Sequence, residues 1–223
     1  MPRVVLFDID NTLLYSGGAG SFAMNMAFAE LFGVADGFAR VEFSGRTDLY
    51  ILEQGLAGHG IAGGAEEHLA AFTARYYELL PEALSQREGH LMPGFPELLS
   101  ALREAGVRLG LATGNFSEGA GIKLQYYGIA GFFEGGGFGE VSPDRSEVVA
   151  AAIRAVGNGA RPADIVVVGD TPHDVTSALA NGVIGAGVAT GKFTVEELRD
   201  SGAALVYQDF ADWQAVAREL AGG

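Results

Sequence analysis

Short apolar segments rich in β-branched residues recur along this chain, and the later ones alternate with stretches of helical spacing. The first covers residues 3–8, and the next follows about a hundred residues later. Strands that alternate with helices favour a parallel sheet joined by right-handed crossovers. We therefore predict an α/β fold with a Rossmann-like parallel sheet at its core. The predicted strands are residues 3–8, 107–113, 165–170, 183–188 and 204–207.

The long gap after the first strand contains no convincing strand. It has apolar residues at helical spacing near 20–33, 48–57 and 65–84. We read residues 16–88 as an inserted α-helical cap domain, with residues 1–15 and 89–223 forming the Rossmann-like catalytic core. Ligands of open α/β sheets bind beyond the carboxyl ends of the strands, where a cap launched after the first strand would cover them.

Carboxylates end two of the predicted strands. Asp8 and Asp10 are two residues apart, so the period of a strand places them on one side. Asp170 ends another strand, with Asp174 four residues on. A single aspartate after a strand is often a turn residue or a helix cap. Together, however, close carboxylates repel, and a cation with oxygen ligands such as Mg²⁺ relieves that repulsion.

The sequence Thr113-Gly114-Asn115 follows the second core strand, and a helix is predicted to start near Ser117. A hydroxyl, a flexible glycine and the free amides at a helix start can bind an anion such as phosphate. Ordinary turn chemistry, with Ser117 as a helix cap, is the alternative explanation of this segment.

A phosphoryl-transfer site also needs positive charge, and the chain has only two lysines, Lys123 and Lys192. Arg145 is predicted in the first turn of a helix, because Asp144 and Glu147 have capping-box spacing. A cation there opposes the helix dipole, which suggests that it is retained for function. Lys123, within another predicted helix, is the rival candidate.

The composition of the chain further limits the classes of partner and of chemistry that we expect. The net charge is −14 and there is no cysteine. Such acidity argues against nucleic-acid and anionic-membrane partners, and the absence of cysteine excludes disulfides and thiol nucleophiles. The N-terminus does not resemble a signal peptide, and no apolar stretch approaches the roughly 18 residues needed to span a bilayer. We expect a cytoplasmic protein whose partner is a small phosphorylated metabolite. The sequence does not indicate its oligomeric state.

These motifs resemble those of the haloacid dehalogenase-like hydrolase superfamily. Residues 8–13 (Asp-Ile-Asp-Asn-Thr-Leu) are similar to its first motif, and residues 112–115 to its second. Residues 169–174 (Gly-Asp-Thr-Pro-His-Asp) are similar to its fourth, in the form frequent among phosphoglycolate-phosphatase-like members. The motifs occur in the family's order, and residues 16–88 occupy the place of its helical cap.

The resemblance implies a magnesium-dependent phosphatase that works through an aspartyl-phosphate intermediate. Asp8 would be the nucleophile and Asp10 the general acid and base. Thr113, with Gly114 and Asn115 nearby, would hold the phosphoryl oxygens.

The resemblance also implies a metal site. Asp8, the main-chain carbonyl of Asp10 and Asp170 would bind Mg²⁺, with Asp174 in support. The third motif is normally a lysine followed by proline. Here Arg145 occupies that region, and it would steady Asp8.

Residues 43–48 resemble the loop that selects the substrate in capped relatives. Arg46 could contact a second anionic group, or it could simply be solvated. The substrate implied is a small phosphate monoester such as 2-phosphoglycolate. A sugar-phosphate mutase, similar to β-phosphoglucomutase, and a non-catalytic binding protein are the alternatives.

Overall fold

The computed structural model describes residues 3–222, which form a parallel sheet flanked by helices with a helical insertion. The strands are β1 (Val4–Phe7), β2 (Leu14–Tyr15), β3 (His90–Leu91), β4 (Arg108–Ala112), β5 (Gly136–Gly137), β6 (Ile165–Gly169), β7 (Ile184–Val188) and β8 (Leu205–Tyr207). The helices are α1 (Ala19–Phe32), α2 (Asp48–Gly58), α3 (Gly64–Ser85), α4 (Glu97–Glu104), α5 (Ser117–Tyr126), α6 (Arg145–Val156), α7 (Pro172–Ala180), α8 (Val195–Asp200) and α9 (Trp213–Ala221).

The main sheet has six parallel strands in the order β5-β4-β1-β6-β7-β8. Strand β1 is fully buried, and its side chains alternate between the two faces. Val5 and Phe7 join one apolar cluster, while Val4 and Leu6 join the other. Burial on both faces explains why the strand is continuously apolar. The predicted α/β architecture is confirmed.

The insertion is helical, as predicted, and has an apolar core of its own. Helices α1, α2 and α3 pack their buried faces together around Phe28, Leu52, Phe72 and Leu80. Phe116, which belongs to the catalytic core in sequence, also packs into this cluster. The cap is therefore seated on the loop that precedes α5. The boundaries at residues 16 and 88 stay a prediction.

Three strands were missed by the sequence analysis. Strands β2 and β3 pair antiparallel where the chain enters and leaves the cap, and each has only two residues. Strand β5 is equally short and consists of glycines, which normally indicate a turn. Gly137 is required by packing, since a Cβ there would lie 2.0 Å from the Val148 carbonyl oxygen of α6.

Within residues 3–222, the helices are each too short or too polar to cross a lipid bilayer.

Alanine at Gly137 is expected to destabilise the fold by about 1–3 kcal/mol, because the added methyl pushes α6 away from the sheet. Gly121→Ala is the matched control: Gly121 lies within α5, and a Cβ there would meet no atom of residues 3–222 within 4 Å beyond the neighbouring backbone of its own helix. That change should stabilise the protein by about 0.5–1 kcal/mol. Urea unfolding of both variants tests the pair, and equal shifts would contradict the packing described for β5.

Candidate active site

The carboxyl ends of three adjacent strands carry three of the predicted site residues. Strand β1 lies between β4 and β6, and Asp8, Thr113 and Asp170 directly follow these three strands. The Asp8 amide donates to the Val168 carbonyl oxygen at 2.9 Å, which extends the β1–β6 pairing by one residue. The sheet therefore brings the three strand ends side by side.

Three buried carboxylates cluster at this edge. Asp8, Asp170 and Asp174 each offer an oxygen within 4.8 Å of the others. Burial raises the pKa of Asp8 to about 6, although Arg145 opposes the shift. Burial, together with the charges of Asp174 and Asp8, raises the pKa of Asp170 to about 9. The ionised cluster is therefore unfavourable alone, and its all-oxygen donor set fits a hard cation such as Mg²⁺.

Arg145 lies at the first position of α6 and is buried against this cluster. Its Nη2 lies 2.8 Å from Asp8 Oδ1 and 2.6 Å from Asp174 Oδ1. Asp144 caps the helix by accepting from the Ser146 amide at 2.8 Å. The first turn of α6 thus directs a guanidinium at the carboxylate of Asp8. Of the two rival cations, Arg145 contacts Asp8.

Asp174 is held from two sides. Its Oδ2 accepts from the Thr171 amide at 3.0 Å and from the Thr171 hydroxyl at 2.8 Å, at the start of α7. Its Oδ1 faces Arg145. Within residues 3–222, Oδ1 is buried without a hydrogen bond, so Arg145 is its ionic partner only. Asp174 can therefore orient Arg145 and still offer Oδ1 to a metal. The metal-supporting role predicted for it remains untested.

Asp10 faces a different cation. Lys123 Nζ lies 2.6 Å from Asp10 Oδ2 and 2.8 Å from Oδ1, and Asn115 Nδ2 donates to Oδ2 at 2.8 Å. Burial alone would raise the pKa of Asp10, but Lys123, Asn115 and Ser16 outweigh it and lower that pKa. The Asp10 side chain is thus outside the carboxylate cluster, and its predicted contribution to a metal would come from the main-chain carbonyl.

The Thr113-Gly114-Asn115 loop of the core contacts the cap. The buried Thr113 hydroxyl accepts from Asn115 Nδ2 at 2.8 Å. The Gly114 carbonyl accepts from the Asp48 amide at 2.7 Å, and a Cβ at Gly114 would lie 2.1 Å from the Arg46 carbonyl oxygen. Only glycine lets the cap approach this closely. The phosphoryl-binding roles predicted for residues 113–115 are not tested by these contacts.

A cavity of about 580 Å³ opens between the cap and the strand ends. The charged side chains that line it are Asp8, Asp10, Glu42, Arg46, Asp48, Lys123, Arg145, Asp170 and Lys192. The Arg46 guanidinium lies over the Tyr50 ring at 4.8 Å, and its Nε is buried with no hydrogen-bond partner among residues 3–222. The structure therefore places Arg46 in the same cavity as Asp8.

Asp48 is a cap residue that the sequence analysis did not select. Its Oδ2 accepts from the Phe116 amide at 2.9 Å, in addition to the main-chain bond to Gly114. Burial raises the pKa of Asp48 to about 7, against the attraction of Lys123. An acid in the first turn of a helix is ordinary, so no local signal marks this contact with the core.

Comparison with known proteins agrees with this geometry. A family model described as haloacid dehalogenase-like hydrolase matches residues 2–182. The chain belongs to the haloacid dehalogenase-like hydrolase family. This confirms the resemblance stated from the motifs and the expectation of a hydrolytic enzyme.

Several individual proteins are similar to this family member. Phosphoglycolate phosphatase from Caulobacter vibrioides is 30% identical, over 93% of this chain and 87% of that protein. Tyrosine-protein kinase PtkA from Mycobacterium tuberculosis is 31% identical, over 90% of this chain and 72% of that protein. The crystal structure of CbbY from Rhodobacter sphaeroides in complex with phosphate has a TM-score of 0.71 at 20% identity, covering 95% of this chain and 96% of that one. The last similarity concerns the fold alone.

The contact between Asp48 and α5 predicts a pH-dependent stability difference. Asp48→Asn keeps an acceptor for the Phe116 amide but does not titrate. The wild-type carboxyl, whose folded pKa is about 7 against an ordinary 3.8, loses its stabilisation as pH rises through that range. The free energy of unfolding of Asp48→Asn minus that of the wild type should therefore increase by more than about 1 kcal/mol between pH 4.5 and pH 8. A difference that stays constant with pH would contradict a buried, titrating Asp48.

The carboxylate cluster predicts a thermal response to Mg²⁺. At about a hundred times its dissociation constant, a ligand adds about 2.7 kcal/mol of stability, which corresponds to about 5–10 °C for a chain of this size. Differential scanning fluorimetry should show this rise for the wild type and lose it in Asp170→Asn. Asp200→Asn, which replaces an exposed residue at the end of α8, is the matched control and should keep the rise. An equal rise in all three proteins would place the ion elsewhere.

Proposed function

We propose that this hydrolase is a magnesium-dependent phosphatase that removes phosphate from small monoesters through an aspartyl phosphate on Asp8. One observation supports the proposal above all: the Asp8 carboxylate is buried at a strand end, paired to Arg145 at 2.8 Å, and lines the cavity beside Asp10. A carboxylate held in this way has a fixed direction of attack and a counter-charge for the phosphoryl group.

In the first step, an Asp8 oxygen attacks phosphorus while the bond from phosphorus to the leaving alkoxide breaks. Asp10 gives its proton to that alkoxide. In the second step, Asp10 takes a proton from a water molecule, whose oxygen attacks phosphorus and releases Asp8. The lowered pKa of Asp10 keeps it ionised near neutral pH, which suits the second step directly. Before the first step it must take up a proton.

Two positive groups, Arg145 and Mg²⁺, would act on Asp8. Arg145 contacts it directly and is held in place by Asp174. Asp8 and Asp170 would hold Mg²⁺, with the Asp10 carbonyl and Asp174 in support. When bound, the cation would offset the repulsion between the Asp8 carboxylate and the substrate phosphate.

The proposed substrate is a small phosphate monoester with a second anionic group, of which 2-phosphoglycolate is the simplest example. Two findings support this choice. Several relatives carry the name phosphoglycolate phosphatase, and Arg46 lines the cavity with an Nε that has no partner in the part of the chain that the structure describes. A carboxylate could accept from that guanidinium while the phosphate lies at Asp8.

Asp8→Asn should lower phosphate release from p-nitrophenyl phosphate and from 2-phosphoglycolate by at least about 10³-fold, because the amide is not a nucleophile. Asp200→Asn, which replaces an exposed carboxylate in the same way, should keep wild-type rates. Phosphate release is measured with Mg²⁺ and after its removal with a chelator, which should also abolish turnover.

The alternatives give different products. A mutase would interconvert sugar-phosphate isomers without net release of phosphate, and a binding protein would retain a phosphorylated ligand without turnover. Either result, or full activity of Asp8→Asn, would contradict the proposal.

A further inference from the structure

Lys123 is a buried lysine whose ammonium group faces the core of the site. It is 3% exposed, and it projects from α5 toward Asp10. Its three acceptors are the two carboxylate oxygens of Asp10, at 2.8 and 2.6 Å, and Asn115 Oδ1 at 2.6 Å. An ammonium has three donors, so this environment uses all of them. Because all three donors of this buried charge are used, the ammonium group fixes the positions of its partners.

Asn115 hydrogen-bonds to both Lys123 and Asp10. Its amide nitrogen donates to Asp10 Oδ2 and to Thr113 Oγ1, both at 2.8 Å, while its oxygen accepts from Lys123. Lys123, Asp10 and Asn115 thus form a closed set of hydrogen bonds, anchored through Thr113 to the end of β4. The Asp10 side chain is 36% exposed and faces the cavity. The hydrogen-bond partners of Asp10 therefore hold the carboxylate from one side and leave its other side open to the cavity.

The cap lies against the same ammonium. Gly20, at the start of α1, lies so near that a Cβ there would be 3.1 Å from Lys123 Nζ. The Tyr76 hydroxyl of α3 would be 3.6 Å from the same Cβ. Glycine at this place lets the cap helix exclude water from the lysine, which strengthens the pair with Asp10.

We propose that Lys123 is a positioning residue, which holds the carboxylate of Asp10 in the orientation needed to give a proton to the alkoxide that leaves phosphorus as Asp8 attacks. This inference rests on the proposed function, since it assigns a step in that reaction. It separates the roles of Arg145 and Lys123. Arg145 acts on the nucleophile Asp8, whereas Lys123 acts through the acid and base Asp10 and does not itself contact the substrate phosphate.

The first test needs no activity. Lys123→Met keeps the aliphatic stem and removes the three donors. In its crystal structure the Asp10 carboxylate should leave its wild-type position or occupy several conformers, while Asp8 and Arg145 stay in place. An Asp10 carboxylate that remains ordered in its wild-type position would overturn the proposal, whether or not the protein proves to be a phosphatase.

The second test uses the leaving group. Alkoxides need a proton as they leave, whereas p-nitrophenolate needs little help, so loss of acid catalysis appears mainly with alkyl phosphates. Lys123→Met should lower kcat/KM for alkyl phosphates by at least about tenfold more than for p-nitrophenyl phosphate. Gln125→Met, an exposed position on the same helix, should change neither value. Equal losses for both substrates would indicate a purely structural role and overturn the proposal.

A double mutant and two further single variants complete the design. If Lys123 acts through Asp10, adding Lys123→Met to Asp10→Asn should cause little further loss of kcat/KM, whereas independent losses that multiply would contradict the link. Lys123→Arg should recover part of the activity toward alkyl phosphates, because it keeps the charge and the donors. Should Lys123→Met fail to fold, Lys123→Leu, which also lacks a donor, serves for both tests, with the same outcomes expected.

Discussion

A buried guanidinium shared by two carboxylates is the interaction on which this site depends. Arg145 lies between Asp8, at the end of β1, and Asp174, at the start of α7. Removing one partner of such a buried pair costs about 3–5 kcal/mol, because the remaining charge is left without compensation. Asp170 adds a third carboxylate to the cluster, for which one arginine is insufficient. The excess negative charge is the physical reason to expect a cation here.

The cavity is formed by the sheet and the cap together. Adjacent parallel strands bring Asp8, Thr113 and Asp170 to one edge, and this follows from the strand order alone. The cap then closes over that edge through contacts with the loop after β4. Asp48 contacts both Gly114 and Phe116 there. This loop also contains Asn115. The packing of the cap on the core and the orientation of Asp10 therefore both depend on the same short segment of chain.

The sequence was sufficient for five of the six strands of the main sheet, for the helical insertion and for the alignment of motifs at strand ends. These follow from the hydrophobic period and from the position of polar residues after apolar runs. It also placed Arg145 in the first turn of a helix. The pairing of each cation with its carboxylate could not be read, since Lys123 and Asp10 are 113 residues apart. Strand β5 was missed because its two glycines, which pack closely against β4 and α6, have the composition of a turn.

The most direct test of the account is a crystal structure with Mn²⁺ in place of Mg²⁺, read from its anomalous signal, together with inorganic phosphate. The account predicts an ion coordinated by carboxylate oxygens of Asp8 and Asp170, with a phosphate oxygen among its ligands and Arg145 still paired to Asp8. An ion bound away from these two aspartates, or phosphate bound outside the cavity they line, would contradict it.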